Sequence, residues 1–111
     1  MRVLVLSLGL ALLAPAVSPA IAADAPVVTL TIKDHRFEPS EIQVPANQKI
    51  ELRVVNKDST AEEFESLDLH REKVVAGGRE ITVYVGPLQP GSYEFFGDFN
   101  PKTARGHLIA R

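Results

Sequence analysis

Acidic side chains are concentrated in the middle of this chain, where they could bind a cation. Six carboxyl groups fall within fifteen consecutive positions, with three basic residues among or beside them: Asp58, Glu62, Glu63, Glu65, Asp68 and Glu72, and Lys57, Arg71 and Lys73. Carboxylate oxygens suit iron, manganese and Cu(II) better than Cu(I). The alternative is a solvated acidic strand edge that discourages aggregation between sheets. These residues alone leave both interpretations open.

Nitrogen and sulfur ligands are scarce in the same sequence. The chain has three histidines, His35, His70 and His107, no cysteine, and Met1 as its only methionine. Without cysteine it can form neither a disulfide nor a copper–thiolate bond. No nucleophile elbow and no Ser–His pair at usable spacing supports a hydrolase. The basic residues are scattered, which argues against a nucleic-acid partner.

The first residues have the three-part pattern of a secretory signal peptide. Met1-Arg2 is a short positive start, residues 3–14 are almost wholly apolar, and Ala20-Ile21-Ala22 fits the small-x-small rule of signal peptidase. A membrane-spanning helix needs about 20 apolar residues, and this run is shorter. We therefore predict a cleaved signal peptide over residues 1–22 and a periplasmic mature domain, residues 23–111, that does not insert into the membrane.

The mature part has the pattern of a series of short β-strands. Apolar and polar residues alternate with the period of two that is typical of half-buried strands, in runs at 28–33, 41–44, 49–54, 80–85 and 93–97. Clusters of proline, glycine and asparagine separate the runs and indicate turns. This pattern predicts an all-β sandwich or barrel. Residues 65–73 are the one stretch that could form a helical turn or a loop instead.

Two sets of residues resemble the two halves of a known domain. The first is Phe37-x-Pro39, Ile42-x-Val44-Pro45-Ala46, Ile50-x-Leu52 and Asn56, and the second is Leu88-x-Pro90-Gly91-x-Tyr93-x-Phe95 followed by Gly106. In this order and spacing they resemble the cupredoxin domain over nearly all of the mature chain. The resemblance implies a cupredoxin-like Greek-key β-sandwich of about 6–8 short strands.

Three further stretches carry a narrower resemblance. They are Ala61-Glu62-Glu63-Phe64-Glu65-Ser66, Arg71-Glu72-Lys73-Val74-Val75 and Gly86-Pro87-Leu88. They resemble the EfeO-type cupredoxin-like subgroup, small exported proteins that accompany ferrous-iron permeases in bacteria. The resemblance implies a non-blue site for a copper or iron ion and a part in ferrous-iron uptake. Its implied partners are an inner-membrane iron permease and a companion periplasmic iron-binding protein.

The residues of a blue-copper site are missing from the corresponding positions. Such a site takes two histidines, one cysteine and usually a weakly bound methionine. The resemblance places Glu62 at the first histidine position, Gly97 at the cysteine position and Asn100 at the second histidine position. The methionine position falls near Thr103 or Ala104. An electron carrier of the blue-copper type is therefore excluded. Asn100 is typically a histidine in the subgroup, which puts the subgroup's own site in doubt here.

Two neighbouring glutamates are candidate metal ligands on one predicted strand. Glu62 shares strand parity with Phe64, so it points toward the rim where a cupredoxin's first histidine lies. An inward carboxylate is costly unless it is paired or bound to metal. A solvated rim is the alternative for Glu62. Glu63 has the opposite parity and would reach the site only through a bulge in the strand.

The remaining candidate ligands are His35, Asp98 and Asn100. His35 lies two residues before Phe37, in a segment that passes beneath the metal end in the cupredoxin arrangement. Asp98 and Asn100 lie in the loop that carries ligands in relatives. The alternatives are a surface histidine and a plain turn in which Asp98 and Asn100 bind local amides.

Two functions from different classes follow from these residues. The first is a periplasmic metal-binding protein for ferrous-iron uptake, with a role as accessory iron oxidase left open. The second is a metal-free adaptor that docks a partner through the acidic face around residues 62–72.

Overall fold

The structure, a computed structural model, describes residues 3–5, 7, 9–13 and 25–111. It has nine strands: β1 Val27–Lys33, β2 Arg36–Glu38, β3 Glu41–Val44, β4 Ile50–Asn56, β5 Glu62–Ser66, β6 Arg71–Val75, β7 Glu80–Val85, β8 Gly91–Gly97 and β9 Arg105–Ala110. The described residues contain no helix, so none there could span a membrane. The all-β prediction is confirmed. The predicted cleavage site at Ala20-Ile21-Ala22 and the boundary between residues 22 and 23 lie outside the described residues.

The strands form two sheets that enclose one core. One sheet has the order β2-β1-β4-β7, and the other has the order β3-β9-β8-β5-β6. The pairs β1–β4 and β3–β9 are parallel, and the other pairs are antiparallel. The alternating sequence pattern follows from this arrangement, because strands such as β3, β4 and β9 bury one side more deeply than the other.

Three phenylalanines pack against one another in the core between the sheets. Phe37 meets Phe95 edge to face with ring centroids 5.1 Å apart, and it meets Phe64 at 6.3 Å. Phe64 and Phe95 are tilted against each other at 5.6 Å. Such aromatic pairs contribute about 0.5–1.5 kcal/mol beyond the burial of their surface. Since Phe64 lies on β5 and Phe95 on β8, this cluster fixes the strand that carries Glu62 and Glu63 and the strand that leads into the loop of Asp98 and Asn100.

Residues 65–73 form a hairpin, not a helical turn. Strand β5 pairs with β6, with Glu65 opposite Glu72, and the connecting turn has His70 at a positive φ of 55°. Charged residues interrupt the alternation of apolar and polar side chains in this stretch, which hides the strand in the sequence. This hairpin and the three-residue strand β2 raise the strand count from the expected 6–8 to nine.

Candidate functional site

The Glu62 carboxylate is buried at one end of the sandwich and is fully engaged in hydrogen bonds. Glu62 is 1% exposed. Its Oε1 accepts hydrogen bonds from the backbone N–H of Glu63 at 3.0 Å and of Phe99 at 2.9 Å. Its Oε2 accepts one from Nδ2 of Asn100 at 2.6 Å. With these three donors, both oxygens of the buried carboxylate have hydrogen-bond partners within the protein and need no metal ion.

Gly97 leaves the space that the Glu62 side chain fills. A Cβ added at Gly97 would lie 2.6 Å from Cδ of Glu62 and 2.7 Å from Cβ of Ala104. Both distances are far below ordinary van der Waals contact, so no larger residue fits while Glu62 keeps its position. Gly97 occupies the cysteine position of the resemblance. A thiolate there is therefore excluded by packing as well as by the sequence.

The loop after β8 folds on itself around Asn100. The backbone N–H of Asn100 donates to the Gly97 carbonyl at 3.0 Å, and the Asn100 carbonyl accepts from the N–H of Ala104 at 2.9 Å. The hydroxyl of Thr103 donates to the carbonyl of His35 at 2.6 Å. These contacts hold the Asn100 amide against Glu62 and link the loop to the β1–β2 turn.

His35 lies in that turn, where Asp58 holds it. Asp34 and His35 both have positive φ, 52° and 57°, as in the two-residue turns that join tight hairpins. The carboxylate of Asp58 accepts their backbone N–H groups at 2.8 and 3.0 Å, and the hydrogen bond from His35 is the main cause of the lowered pKa of Asp58. The His35 imidazole Nδ1 lies 3.6 Å from the same carboxylate. His35 therefore faces Asp58.

The five predicted ligands do not come together as one metal site in this structure. Glu62 and Asn100 contact each other inside the sandwich. Glu63 and Asp98 follow the inward-facing Glu62 and Gly97 and lie on the outer side of the sheet, where the N–H of Asp98 donates to the Glu63 carbonyl at 3.0 Å. This end lacks the two histidines and the cysteine of a blue-copper site, because Glu62, Asn100 and Gly97 stand at those positions.

A different set of carboxylates does converge. Among the described residues, one group of three acidic or histidine side chains has ligand atoms within 4.8 Å of one another: Glu63, Glu65 and Glu72. All three lie on the outer face of the β5–β6 hairpin, since Glu65 pairs directly with Glu72. A hydrogen bond with the Glu72 carboxyl, burial and nearby negative charges raise the pKa of Glu63 to about 7. Burial and the charges of Asp98 and Glu72 raise the pKa of Glu65.

No basic side chain in residues 25–111 neutralises this group by an ion pair. The three pairs found there join His35 to Asp58, Arg53 to Glu51, and Arg105 to Glu94. We call Glu63, Glu65, Glu72 and the adjacent Asp98 the outer carboxylate cluster. The sequence pattern favours a solvated strand edge for Glu63 and Glu65 and an ion pair with Arg71 or Lys73 for Glu72; none of the ion pairs of residues 25–111 involves Glu72. No sequence signal joins Glu65 to Glu72, because their meeting depends on the register of β5 against β6.

Comparison with known proteins gives the family of this chain. The cupredoxin-like domain family matches residues 3–110. An uncharacterized protein of Rickettsia prowazekii (strain Madrid E), RP394, is 52% identical over 82 residues, which cover 74% of this chain and 66% of that protein. The match thus spans slightly less than two thirds of that relative's length.

Solved structures share the fold at low sequence identity. Auracyanin A of Chloroflexus aurantiacus, described as a "blue" copper protein, has a TM-score of 0.68 and 11% identity, over 79% of this chain and all of that one. The metal-binding domain of the Cu(I)-exporting ATPase CopA of Streptococcus pneumoniae has a TM-score of 0.66 and 13% identity, over 81% of this chain and 91% of that one. Amicyanin of Paracoccus versutus has a TM-score of 0.61 and 18% identity, over 83% of this chain and 86% of that one. With the family match, these likenesses lead to one conclusion: the chain belongs to the cupredoxin-like domain family.

Proposed function

We propose that this chain is an exported, non-blue cupredoxin-like protein that binds a copper or iron ion in the periplasm and takes part in ferrous-iron uptake. The observation that carries the proposal is a surplus of carboxylates on and beside β5. Four of them, the outer carboxylate cluster, form no ion pair with any basic side chain of residues 25–111: Glu63, Glu65, Glu72 and Asp98. A concentration of unneutralised oxygen donors attracts cations.

The type of donor argues for capture of a cation over electron transfer. Oxygen ligands suit iron, manganese and Cu(II), whereas the blue sites of electron carriers need a thiolate. Carboxylates also stabilise Fe(III) relative to Fe(II), which is the direction that an accessory oxidase requires. Oxidation would need an electron acceptor in addition, so binding is the part of the function that these residues support directly.

The resemblance to the EfeO-type subgroup supplies the biological setting of the proposal. It supports a periplasmic location, with an inner-membrane iron permease and a companion iron-binding protein as partners. The apolar stretch of residues 3–14 and the small residues at positions 20–22 support export. Deletion of the gene should lower ferrous-iron accumulation by cells, and unchanged accumulation would remove the uptake role.

Metal binding itself can be tested with the exported protein after its metals are removed with a chelator. We expect saturable heat on titration with Cu(II) or, under anaerobic conditions, with Fe(II). A protein that binds neither ion would refute the proposal. Melting in the presence of metal gives a second measurement, since a ligand that binds only the folded state raises its stability.

A metal-free adaptor is the second candidate, and the hydrogen bonding of the Glu62 carboxylate within the protein favours it. The three hydrogen bonds to this carboxylate close the end of the fold where a metal would be expected. The outer carboxylate cluster would then dock a basic surface of a partner. This alternative predicts identical folding and melting with added metal and with chelator, and binding to a partner that salt weakens.

A further inference from the structure

We infer that the open edge between β6 and β7 binds an extended acidic peptide, which adds to β7 as a further strand of the four-stranded sheet. The inference needs no metal ion and is independent of the proposed function. Three observations support it: the free backbone groups of β7, two basic side chains at this edge that have no acidic partner among residues 25–111, and the spacing of these two sets of groups.

Strand β7 is an edge strand with a row of free backbone groups. It pairs with β4 alone among the described strands, and the N–H of Asn56 donates to the Arg79 carbonyl at 2.8 Å. Because hydrogen-bonded and non-hydrogen-bonded pairs alternate in an antiparallel ladder, the backbone groups of Thr82 and Tyr84 point away from β4. No described residue accepts a hydrogen bond from the N–H of either one. An edge of this kind can pair with another extended chain.

A groove separates this edge from β6. It has a volume of about 280 Å³ and is lined by residues 71–73 of β6 and residues 82–84 of β7. This is far more space than a single water molecule needs. The first four residues of β6 are exposed, so the strand does not cover the groove. The free backbone groups of β7 are therefore accessible to a ligand from solution.

Arg71 and Lys73 reach across the groove from β6. Nε of Arg71 donates to the Tyr84 carbonyl at 2.9 Å, and Nζ of Lys73 lies 3.4 Å from the Thr82 carbonyl. Neither cation forms an ion pair with an acidic side chain of residues 25–111. A carboxylate would be a stronger partner for both than a neutral carbonyl, because attraction between opposite charges adds to the hydrogen bond.

The spacing of the two cations matches an extended acidic ligand. Arg71 and Lys73 are two residues apart on β6 and project from the same side, whereas Glu72 projects from the other side and lies opposite Glu65. Carboxylates two residues apart on an extended peptide have the same repeat, about 6.6–6.8 Å. The N–H groups of such a peptide would take over the two β7 carbonyls, and its carboxylates would take over the two cations. Every polar group in the exchange keeps a partner.

The test uses a synthetic peptide with blocked ends, acetyl-Thr-Glu-Val-Glu-Val-Thr-amide, and a control peptide in which both glutamates are glutamine. The exported protein is titrated in the presence of chelator, so that metal makes no contribution. A double variant, Arg71→Gln with Lys73→Gln, removes both charges, and Lys102→Gln changes an exposed lysine in the loop after β8. Thr82→Pro removes one free N–H, since proline is tolerated on an edge strand.

Calorimetry measures the affinity, amide NMR spectra locate the peptide, and circular dichroism and melting show that each variant is folded. We expect the acidic peptide to bind and to shift the amide resonances of Thr82 and Tyr84. The glutamine peptide should bind at least about tenfold more weakly, and so should the acidic peptide to the double variant, since charge-assisted hydrogen bonds are lost. Thr82→Pro should weaken binding as well, and Lys102→Gln should leave it unchanged.

Equal affinity for the acidic and glutamine peptides would overturn the inference, as would amide shifts confined to other strands. Absence of binding would also overturn it and would leave Arg71 and Lys73 as guards that keep a strand edge from pairing. Sedimentation tests a second copy of the chain as the occupant, and a dimer that excludes the peptide would refute the inference. Metal binding is measured in separate titrations, so each of these results leaves the proposed function standing.

Discussion

Oε2 of Glu62 and Nδ2 of Asn100 lie 2.6 Å apart and are joined by a hydrogen bond across the end of the sandwich. The two residues are far apart in sequence and occupy positions at which the family resemblance leads one to expect metal ligands. Here they bind each other. The end of the fold is closed by a carboxylate–amide contact, and the outer carboxylate cluster lies on the outer face of the same sheet.

Removal of the Glu62 carboxylate should destabilise the protein. In Glu62→Ala the N–H groups of Glu63 and Phe99 and the amide of Asn100 lose their acceptor. A buried donor left without a partner costs about 1–3 kcal/mol, so the free energy of unfolding should fall by at least that amount. Urea denaturation measures it, with Glu80→Ala as the exposed control. Equal stability of the two variants would show that the network contributes nothing.

A single methyl group at Gly97 should be poorly tolerated. The added Cβ of Gly97→Ala would overlap the Glu62 carboxyl and Ala104. Overpacking of this kind typically costs about 1–3 kcal/mol. Gly91→Ala is the matched control on the same strand, because its Cβ would meet no atom nearer than 3.8 Å. Denaturation midpoints that fall equally in both variants would contradict the packing argument.

The hydrogen bonds of the buried Asn56 amide should stabilise the loop between β4 and β5. Its Nδ2 donates to the carbonyls of Thr60 at 2.9 Å and Val75 at 3.1 Å, and its Oδ1 accepts the N–H of Asp58 at 3.0 Å. We expect Asn56→Ala to lower the free energy of unfolding by about 1–3 kcal/mol, since these groups lose their partners. The exposed Gln89→Ala should change it by less than about 0.5 kcal/mol. An Asn56→Ala variant with an unchanged free energy of unfolding would argue against this role.

Stability should depend on pH through Glu63. Its pKa is raised from 4.5 to about 7, so the folded protein holds this proton more tightly than the unfolded chain. The stabilisation is fully present below pH 4.5 and is lost as the pH rises through about 7. Unfolding experiments across this window should therefore show decreasing stability, with a shallower decrease in Glu63→Gln. The same slope in both proteins would refute the assignment to Glu63.

Addition of Cu(II) should not produce the intense blue colour of a copper–thiolate bond. The chain has no cysteine, and Glu62 and Ala104 occupy the space beside Gly97. Visible absorption spectra test this expectation, with auracyanin A, described as a "blue" copper protein, as the positive control. An intense blue band in this protein would contradict both the sequence and the packing at Gly97.

The sequence by itself determined the fold class, the inward direction of Glu62 and the absence of a blue-copper site. Alternation with a period of two is a local property, so the parity that Glu62 shares with the buried Phe64 could be read directly from their spacing. The missing cysteine is a matter of composition. Conclusions of this kind need no knowledge of which strands are neighbours.

Only the tertiary structure decided which polar groups meet. The register of β5 against β6 places Glu65 opposite Glu72, and the loop after β8 brings Asn100 to Glu62. His35 turns to Asp58 because a hairpin turn presents its N–H groups there. These contacts depend on strand pairing between distant parts of the chain, and a shift of one residue would exchange the inner and outer faces. Local pattern carries no such information, so the outer carboxylate cluster became visible only in the folded sheet.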